Sequence, residues 1–140
     1  MSDDLHDLGE ALVRATTRTV RWLPTEGVEH SLSAIRMMAR LADQGASRIT
    51  DLAKLERTSQ PTITNHIKRL ERLGFITRSG DPRDARVVLV ELNADGHREL
   101  LAIRRRLGTN LEPHLARLNA RERRTLEAGL AVMAQLTTMH

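Results

Sequence analysis

Residues 59–74 read SQPTITNHIKRLERLG, and this stretch decides how the rest of the chain is interpreted. Ile63, Ile67 and Leu70 recur on a helical period, and Gly74 falls on the same side of the helical wheel. The opposite side is polar and basic, and it consists of Pro61, Asn65, Lys68 and Arg72, flanked by Thr62, Thr64 and Arg69. The pattern predicts a helix with one packed face and one polar, basic face.

The beginning of this helix is marked by two residues. Ser59 can accept hydrogen bonds from amides of the first turn, and Pro61 fits there because its missing N–H needs no partner. The first half of the helix then displays four polar side chains: Gln60, Thr62, Thr64 and Asn65. Gln and Asn can bond adenine through a donor and an acceptor, and Thr offers a hydroxyl and a methyl group for thymine. Lys68 and Arg69 lie further along, where a helix leaving the major groove meets phosphates.

The flanking segments favour DNA binding over the alternative of an ordinary surface helix with a solvated basic face. A shorter helix, Asp51–Arg57, capped by Thr50 or Asp51, precedes the stretch. It is joined through Thr58, which is short enough for a helix-turn-helix. The segment FITRSGDPRDARVVLVEL (75–92) follows, and it predicts two strands around a turn of Ser79, Gly80, Asp81 and Pro82.

The tip of this hairpin, residues 81–86, presents Arg83 and Arg86 on a narrow projection. An arginine so placed suits a narrow, electronegative minor groove. The alternative is that Asp81 and Asp84 pair with the two arginines and stiffen the turn. Both can hold, with one arginine bracing the hairpin and the other reaching DNA, and the sequence does not assign which.

Helices are predicted on both sides of this central region. One spans residues 3–23, and a second is expected to be capped by Ser33. Asn93 should start a long helix, in which Pro113 predicts a kink or break near residues 108–112. Asn119 and Glu122 have the spacing of a capping box that opens a last helix. The predicted order is α-α-(β)-α-α-β-β-α-α.

The segments TSQPTITNHIKRLERLGFITR and DPRDARVVLVELNADG resemble the MarR family of winged helix-turn-helix transcription regulators, and the likeness extends over the whole chain. The resemblance implies a mainly α fold with a small β-wing (α+β). It implies one domain over residues 1–140, with a winged helix-turn-helix at about 33–92 and dimerisation arms at about 1–32 and 93–140. It places Ser59, Gln60, Thr62, Thr64, Asn65 and Lys68 on the recognition helix and Arg83 and Arg86 on the wing; Pro61 and Arg69 complete the candidate DNA-binding set. One departure is the corner of the helix-turn-helix, where Glu56-Arg57-Thr58 replaces the frequent glycine and can require a positive φ.

Composition narrows the function. The net charge is +4, and residues 57–86 carry 7 basic and 3 acidic side chains, which is the balance expected of a polyanion-binding segment. The chain has no cysteine, so thiol chemistry is excluded, and its six histidines show no close-spaced helical pair that would indicate a metal site. No phosphate loop, nucleophile signature or catalytic metal motif is present, so we expect neither an enzyme nor a cofactor. No apolar run is long enough to cross a membrane, and the acidic N-terminus lacks a signal-peptide core, so the expected location is the cytoplasm.

The predicted terminal helices carry apolar stripes that need a partner. Two interleaved copies would bury them with two-fold symmetry, which predicts a homodimer and an inverted-repeat operator. The resemblance further implies repression as the family default and release by a small aromatic or anionic ligand. Trp22 could line a ligand pocket with Arg18, Arg21 or His30 as a polar anchor, although interface packing is the favoured role of Trp22. The alternative function is a non-specific architectural or protein-assembly winged-helix module.

Overall fold

The computed structural model describes residues 2–139. Its elements are α1 (Ser2–Trp22), α2 (Leu32–Gln44), β1 (Ser47–Arg48), α3 (Ile49–Leu55), α4 (Gln60–Arg72), β2 (Ile76–Asp81), β3 (Asp84–Leu92), α5 (Ala94–Leu115) and α6 (Ala120–Thr138). The predicted order of elements, and a mainly helical fold with a small β-wing, are confirmed. None of the helices within residues 2–139 is long and apolar enough to cross a membrane.

The chain divides into two compact units. The winged unit comprises Gly27–Arg106, and the terminal unit comprises the residues up to Glu26 together with those from Leu107 onward. Helix α5 begins in the winged unit and ends in the terminal unit. The terminal unit thus contains α1, the last part of α5 and α6, and the winged unit contains the helix-turn-helix and the sheet.

The winged unit has a continuous apolar core. Its antiparallel sheet has the strand order β1-β3-β2, and the sheet and helices α2–α5 contribute the buried side chains. The largest fully buried ones are Met38, Leu41, Leu52, Ile63, Ile67, Leu70 and Val90. Burial of each such side chain stabilises the fold by roughly 1.5–3 kcal/mol, so this core fixes the orientation of α4.

Two predicted helix starts are wrong. Helix α2 is capped by Ser31, whose Oγ accepts a hydrogen bond from the Ala34 amide at 3.1 Å, and Ser33 lies inside the first turn. Helix α3 begins directly after Arg48 without a side-chain cap, so Thr50 and Asp51 lie within it. In both cases several polar residues are adjacent in the sequence, and the strand or loop before the helix determines which one is at the boundary.

The hairpin is longer and its turn tighter than predicted. Strands β2 and β3 remain paired up to Asp81 and Asp84, which leaves only Pro82 and Arg83 between them. The expectation that Ser79 and Gly80 form part of the turn is therefore wrong, since both pair with residues of β3. The pairing register shifts between Gly80, which pairs with Val88, and Asp81, which pairs with Asp84, so the ladder is irregular next to the turn.

The terminal unit confirms the predicted capping box and contradicts the predicted break. Asn119 Oδ1 accepts from the Glu122 amide at 2.8 Å, and the Glu122 carboxylate accepts from the Asn119 amide at 3.0 Å. Helix α5 continues through Pro113 and ends two residues later, so it does not break near residues 108–112, and the alternative of a kink there stays a prediction. Asn110 Nδ2 donates to the carbonyls of Pro24 and Glu26 and holds the chain after α1 against α5.

Candidate nucleic-acid interface

Helix α4 has the two faces that its sequence predicts. Ile63, Ile67 and Leu70 are buried, whereas the polar and basic residues between them are exposed, apart from Thr64 and His66, which are half-buried. Gly74 does not belong to the buried face: it lies beyond the end of the helix, is exposed and has a φ of 83°. The core therefore holds one side of α4 and leaves the other side in solvent.

The beginning of α4 is fixed by Ser59. Its Oγ accepts from the Thr62 amide at 3.3 Å and lies 2.8 Å from the Thr62 Oγ, so the two hydroxyls are engaged with each other. Pro61 lies in the first turn, as predicted. The mutual hydrogen bond makes Ser59 and Thr62 elements of the helix start as well as candidate DNA contacts.

The polar side chains at the start of α4 fall on two flanks. Gln60, Pro61, Thr64 and Asn65 together line one shallow, exposed depression. Thr62 and His66 line a separate cleft toward α2 and the corner, together with Ser33, Arg36, Glu56 and Thr58. Of the predicted base-reading residues, Gln60, Thr64 and Asn65 thus share one surface and Thr62 lies on the other. Lys68 and Arg69 are exposed one turn further along.

The corner between α3 and α4 uses an arginine where glycine is common. Arg57 has a φ of 51°, which confirms the expectation of a positive φ at this corner. The Arg57 amide donates to the Lys54 carbonyl at 3.2 Å, and the Thr58 amide donates to the Ala53 carbonyl at 3.1 Å. This pair of bonds is a Schellman motif, whose left-handed position Arg57 occupies. It ends α3 sharply and directs the chain into Ser59.

Glu56 fastens the same corner to α2. Its carboxylate accepts from Arg36 Nε and from Arg40 Nε, each at 2.7 Å, and its side chain is only 7% exposed. The two arginines lie one turn apart on α2, so they converge on one acidic partner. The left-handed residue therefore follows directly after a buried, doubly paired carboxylate.

The wing is braced by its two aspartates. Asp81 accepts from Arg48 of β1 at 3.0 Å and from the backbone amide of Arg83 at 2.8 Å. Asp84 accepts from the side chain of Arg86 at 3.1 Å and from its backbone amide at 3.0 Å. The Arg48 bond links the tip to β1, which lies on the other side of β3 from β2, and the remaining bonds are local to the tip.

Hydrogen bonds to the charged form lower the pKa of both carboxyls. The Arg83 amide, followed by Arg48, holds the pKa of Asp81 below its usual value, and the Arg86 side chain and amide do the same for Asp84. Arg86 is thus the arginine that braces the wing. The guanidinium of Arg83 forms no ion pair within the described part of the chain.

The three candidate ligand residues are distributed over both units. Arg18 and Trp22 belong to α1; the Trp22 ring is half-exposed and packs edge-on against His114 at 4.9 Å between ring centroids. His30 belongs to the winged unit, where its Nε2 lies 3.4 Å from Glu99 Oε1 and its ring contacts Phe75. Within residues 2–139, no three His, Asp or Glu side chains form a cluster suited to a metal ion.

Three residues that support this surface were not singled out from the sequence: Arg48, Arg36 and Arg40. Each pairs with a carboxylate far along the chain; 33 residues separate Arg48 from Asp81. The spacing of Arg36 and Arg40 is the one available sequence signal, because like charges at i and i+4 disfavour an isolated helix unless an acidic partner compensates them.

Known proteins of similar sequence are helix-turn-helix regulators, in agreement with this architecture. A model of the MarR family matches residues 31–88. The uncharacterized HTH-type transcriptional regulator Mb0904 of Mycobacterium bovis is 34% identical over 130 residues, which cover 93% of this chain and 90% of that protein. The HTH-type transcriptional repressor NicR of Pseudomonas putida is 29% identical over 96 residues, covering 67% of this chain and 61% of NicR.

Solved structures share the fold. A mutant of MarR from E. coli superposes with a TM-score of 0.75 at 22% identity, covering 91% of this chain and 96% of that one. The same mutant complexed with operator DNA gives a TM-score of 0.61, covering 93% of this chain and 95% of that one. The fold and the exposed face of α4 define a winged helix-turn-helix protein. The chain belongs to the MarR family of transcriptional regulators.

Proposed function

We propose that this protein is a sequence-specific regulator that binds double-stranded DNA as a homodimer, recognises an inverted-repeat operator and represses transcription from it. The observation that supports this proposal is that α4 has two faces. Three apolar residues are buried on one face, and the exposed Gln60 and Asn65 share a surface with the half-buried Thr64 on the other. Side chains of these types read base edges in the major groove. Operator binding by the MarR mutant from E. coli, whose fold is shared, supports the same role here.

In this proposal each part of the interface has its own task. Gln60, Thr64 and Asn65 contact bases, with Thr62 and Pro61 beside them at the helix start, and Ser59 holds that start in place. Lys68 and Arg69 contact phosphates. Arg83 enters the minor groove, because Asp84 already pairs with Arg86, while Arg86 stiffens the wing and adds positive potential.

The exposed apolar side chains of the terminal unit support a homodimer. Leu5, Leu8, Val13 and Val20 of α1 are more than half exposed, as are Leu130, Val132 and Leu136 of α6. A second copy would remove these side chains from water, and two-fold symmetry would present two α4 helices to successive turns of DNA. Residues 1–140 accordingly act as one functional domain. In it, residues 33–92 bind DNA and the flanking residues act as dimerisation arms.

A small aromatic or anionic ligand is the proposed signal for release from DNA. Trp22 offers an aromatic face and Arg18 a positive charge on the same helix of the terminal unit. His30, which belongs to the winged unit, is a separate candidate for ligand binding. Such a ligand would act by binding more tightly to the arm geometry that does not fit DNA. The protein itself would act in the cytoplasm without catalysing a reaction and without a cofactor.

Titration with DNA from upstream of its own gene tests this function. The purified protein is titrated against that duplex and against an unrelated duplex of equal length at several salt concentrations. Tight binding to the upstream duplex alone, with steep salt dependence, is expected. Equal, weak binding to both duplexes would favour the architectural module, and no binding at low salt would overturn the DNA-binding function.

A further inference from the structure

One residue, Asn93, connects the start of α5 with the end of α4. Its side-chain Nδ2 donates to the Gly74 carbonyl at 2.8 Å, while its Oδ1 accepts from the Gly96 amide at 2.9 Å. Its backbone amide donates to the Phe75 carbonyl at 3.0 Å. The two ends of one short side chain therefore serve two different helices.

The α4 side of this connection is a fixed structure. Gly74 occupies the left-handed position of a second Schellman motif, in which its amide donates to Glu71 and the Phe75 amide donates to Leu70, each at 3.0 Å. These bonds set the direction of the Gly74 carbonyl relative to the last turn of α4. A donor that holds this carbonyl consequently also holds the end of α4.

The α5 side is equally tight. Gly96 lies in the first turn of α5 and is buried, and a Cβ built on it would lie 2.5 Å from the Phe75 carbonyl oxygen and 2.5 Å from a Leu92 methyl. The first turn of α5 is thus in direct contact with the backbone that follows α4. Since a close-packed contact of this kind transmits displacement, the two segments should move together.

We propose that Asn93 is a positioning residue for DNA recognition, which ties the orientation of α4 to that of α5. Helix α5 continues from this point to Leu115, beyond Arg106 where the winged unit ends. The inference rests on the DNA-binding function proposed above and identifies a residue that positions the recognition helix for that function.

The competing role is that of a helix cap only, and Asn93→Ser separates the two. Serine is as good a helix cap as asparagine. Its side chain is shorter, however, so its hydroxyl cannot bond the Gly96 amide and the Gly74 carbonyl at the same time. The matched control is Asn119→Ser, which makes the same change at the cap of α6. Each variant is measured for thermal unfolding, for affinity toward the upstream and unrelated duplexes, and for amide hydrogen exchange.

The positioning role predicts a specific pattern. Asn93→Ser should remain folded, with an unfolding temperature lowered only by the loss of one hydrogen bond. It should bind the upstream duplex about tenfold more weakly, because the end of α4 then has to be ordered when DNA binds. Its affinity for unrelated DNA should stay within about twofold, because phosphate contacts need no exact helix angle. The amides of Gly74 and Phe75 should exchange faster, while those of α5 keep their protection. Asn119→Ser should match the wild type in every DNA measurement.

The proposal would be overturned if a folded Asn93→Ser variant distinguished the upstream duplex from the unrelated duplex as well as the wild type does. If Asn93→Ser fails to fold, Asn93→Asp replaces it, since aspartate can also cap α5. The added negative charge weakens binding to both duplexes, so the ratio of the two affinities is compared with the wild-type ratio. If the wild-type protein itself binds both duplexes equally, the proposed function is wrong. Hydrogen exchange alone then tests whether Asn93 connects α4 and α5. Faster exchange confined to residues 73–75 would support its connecting role, and unchanged exchange would contradict it.

Discussion

Glu56 and Arg40 are joined by a 2.7 Å bond that fastens the corner of the helix-turn-helix to α2. Arg36 bonds the other oxygen of the same carboxylate. Glu56→Gln would leave both guanidinium groups without a charged partner. We expect a loss of roughly 2 kcal/mol in the free energy of unfolding, below the range for fully buried pairs because Arg36 is largely exposed. Urea unfolding measures it.

The matched control for Glu56→Gln is Glu71→Gln. Glu71 pairs with Arg78 at 2.6 Å, but both side chains are about one-third exposed. Water screens that pair, so its loss should change the free energy of unfolding by less than about 1 kcal/mol. Equal effects of the two substitutions would contradict the special role of Glu56.

Arg57 is in a conformation that glycine adopts without strain. A left-handed backbone costs a side-chain-bearing residue roughly 1–2 kcal/mol, and glycine recovers part of this although its unfolded chain is more flexible. Arg57→Gly should therefore be about 1 kcal/mol more stable than Arg57→Ala, which keeps the strain and also lacks the charge. The comparison uses urea unfolding of both variants; an alanine variant as stable as the glycine variant would show that the φ of 51° is unstrained.

These two corner residues show where sequence reasoning succeeds and where it stops. The positive φ at the corner, the Ser59 cap and the buried phase of α4 were predictable because each depends on residues within a few positions. The partners of Glu56 and Asp81 were not, since the paired arginines lie 16 and 33 residues away and the fold alone brings them together. The cap of α2 at Ser31, in place of the predicted Ser33, was missed for a similar reason, because the path of the preceding chain decides which residue caps this helix.

The two wing arginines should differ in their effect on DNA binding. Arg83→Ala removes a guanidinium without an ion pair in the described residues, so we expect a weaker affinity and a salt-dependence slope smaller by about 1. Arg86→Ala removes the partner of Asp84 and should mainly loosen the wing, seen as faster amide exchange in residues 81–86. If Arg86→Ala reduces the slope and Arg83→Ala does not, the two assignments are reversed.

The protection of the wing amides against hydrogen exchange should depend on pH in the acid range. The folded-state pKa values of Asp81 and Asp84 are lowered from 3.8, so their contribution is present above that pH and is lost as the pH falls through the lower folded-state values. We expect the wing amides to stay protected at pH 5 and to lose protection below pH 3.8, as measured by NMR. In Asp81→Asn the Arg48 pairing should already be weakened at pH 5. A wing whose protection changes between pH 5 and 7 would require another titrating group.

Asn65 and Lys68 should separate sequence reading from phosphate binding. Both are exposed on α4, three residues apart, but only the amide of Asn65 can bond a base edge through a donor and an acceptor. Asn65→Ala should weaken the binding free energy for the upstream duplex by about 1–3 kcal/mol and leave that for unrelated DNA almost unchanged. Thr64→Ala should act in the same direction. Lys68→Ala should weaken both duplexes alike and lower the salt slope by about 1. Competition titrations at two salt concentrations measure both quantities. If Asn65→Ala leaves discrimination intact while Lys68→Ala weakens all binding, the protein is a non-specific DNA binder and α4 does not read sequence.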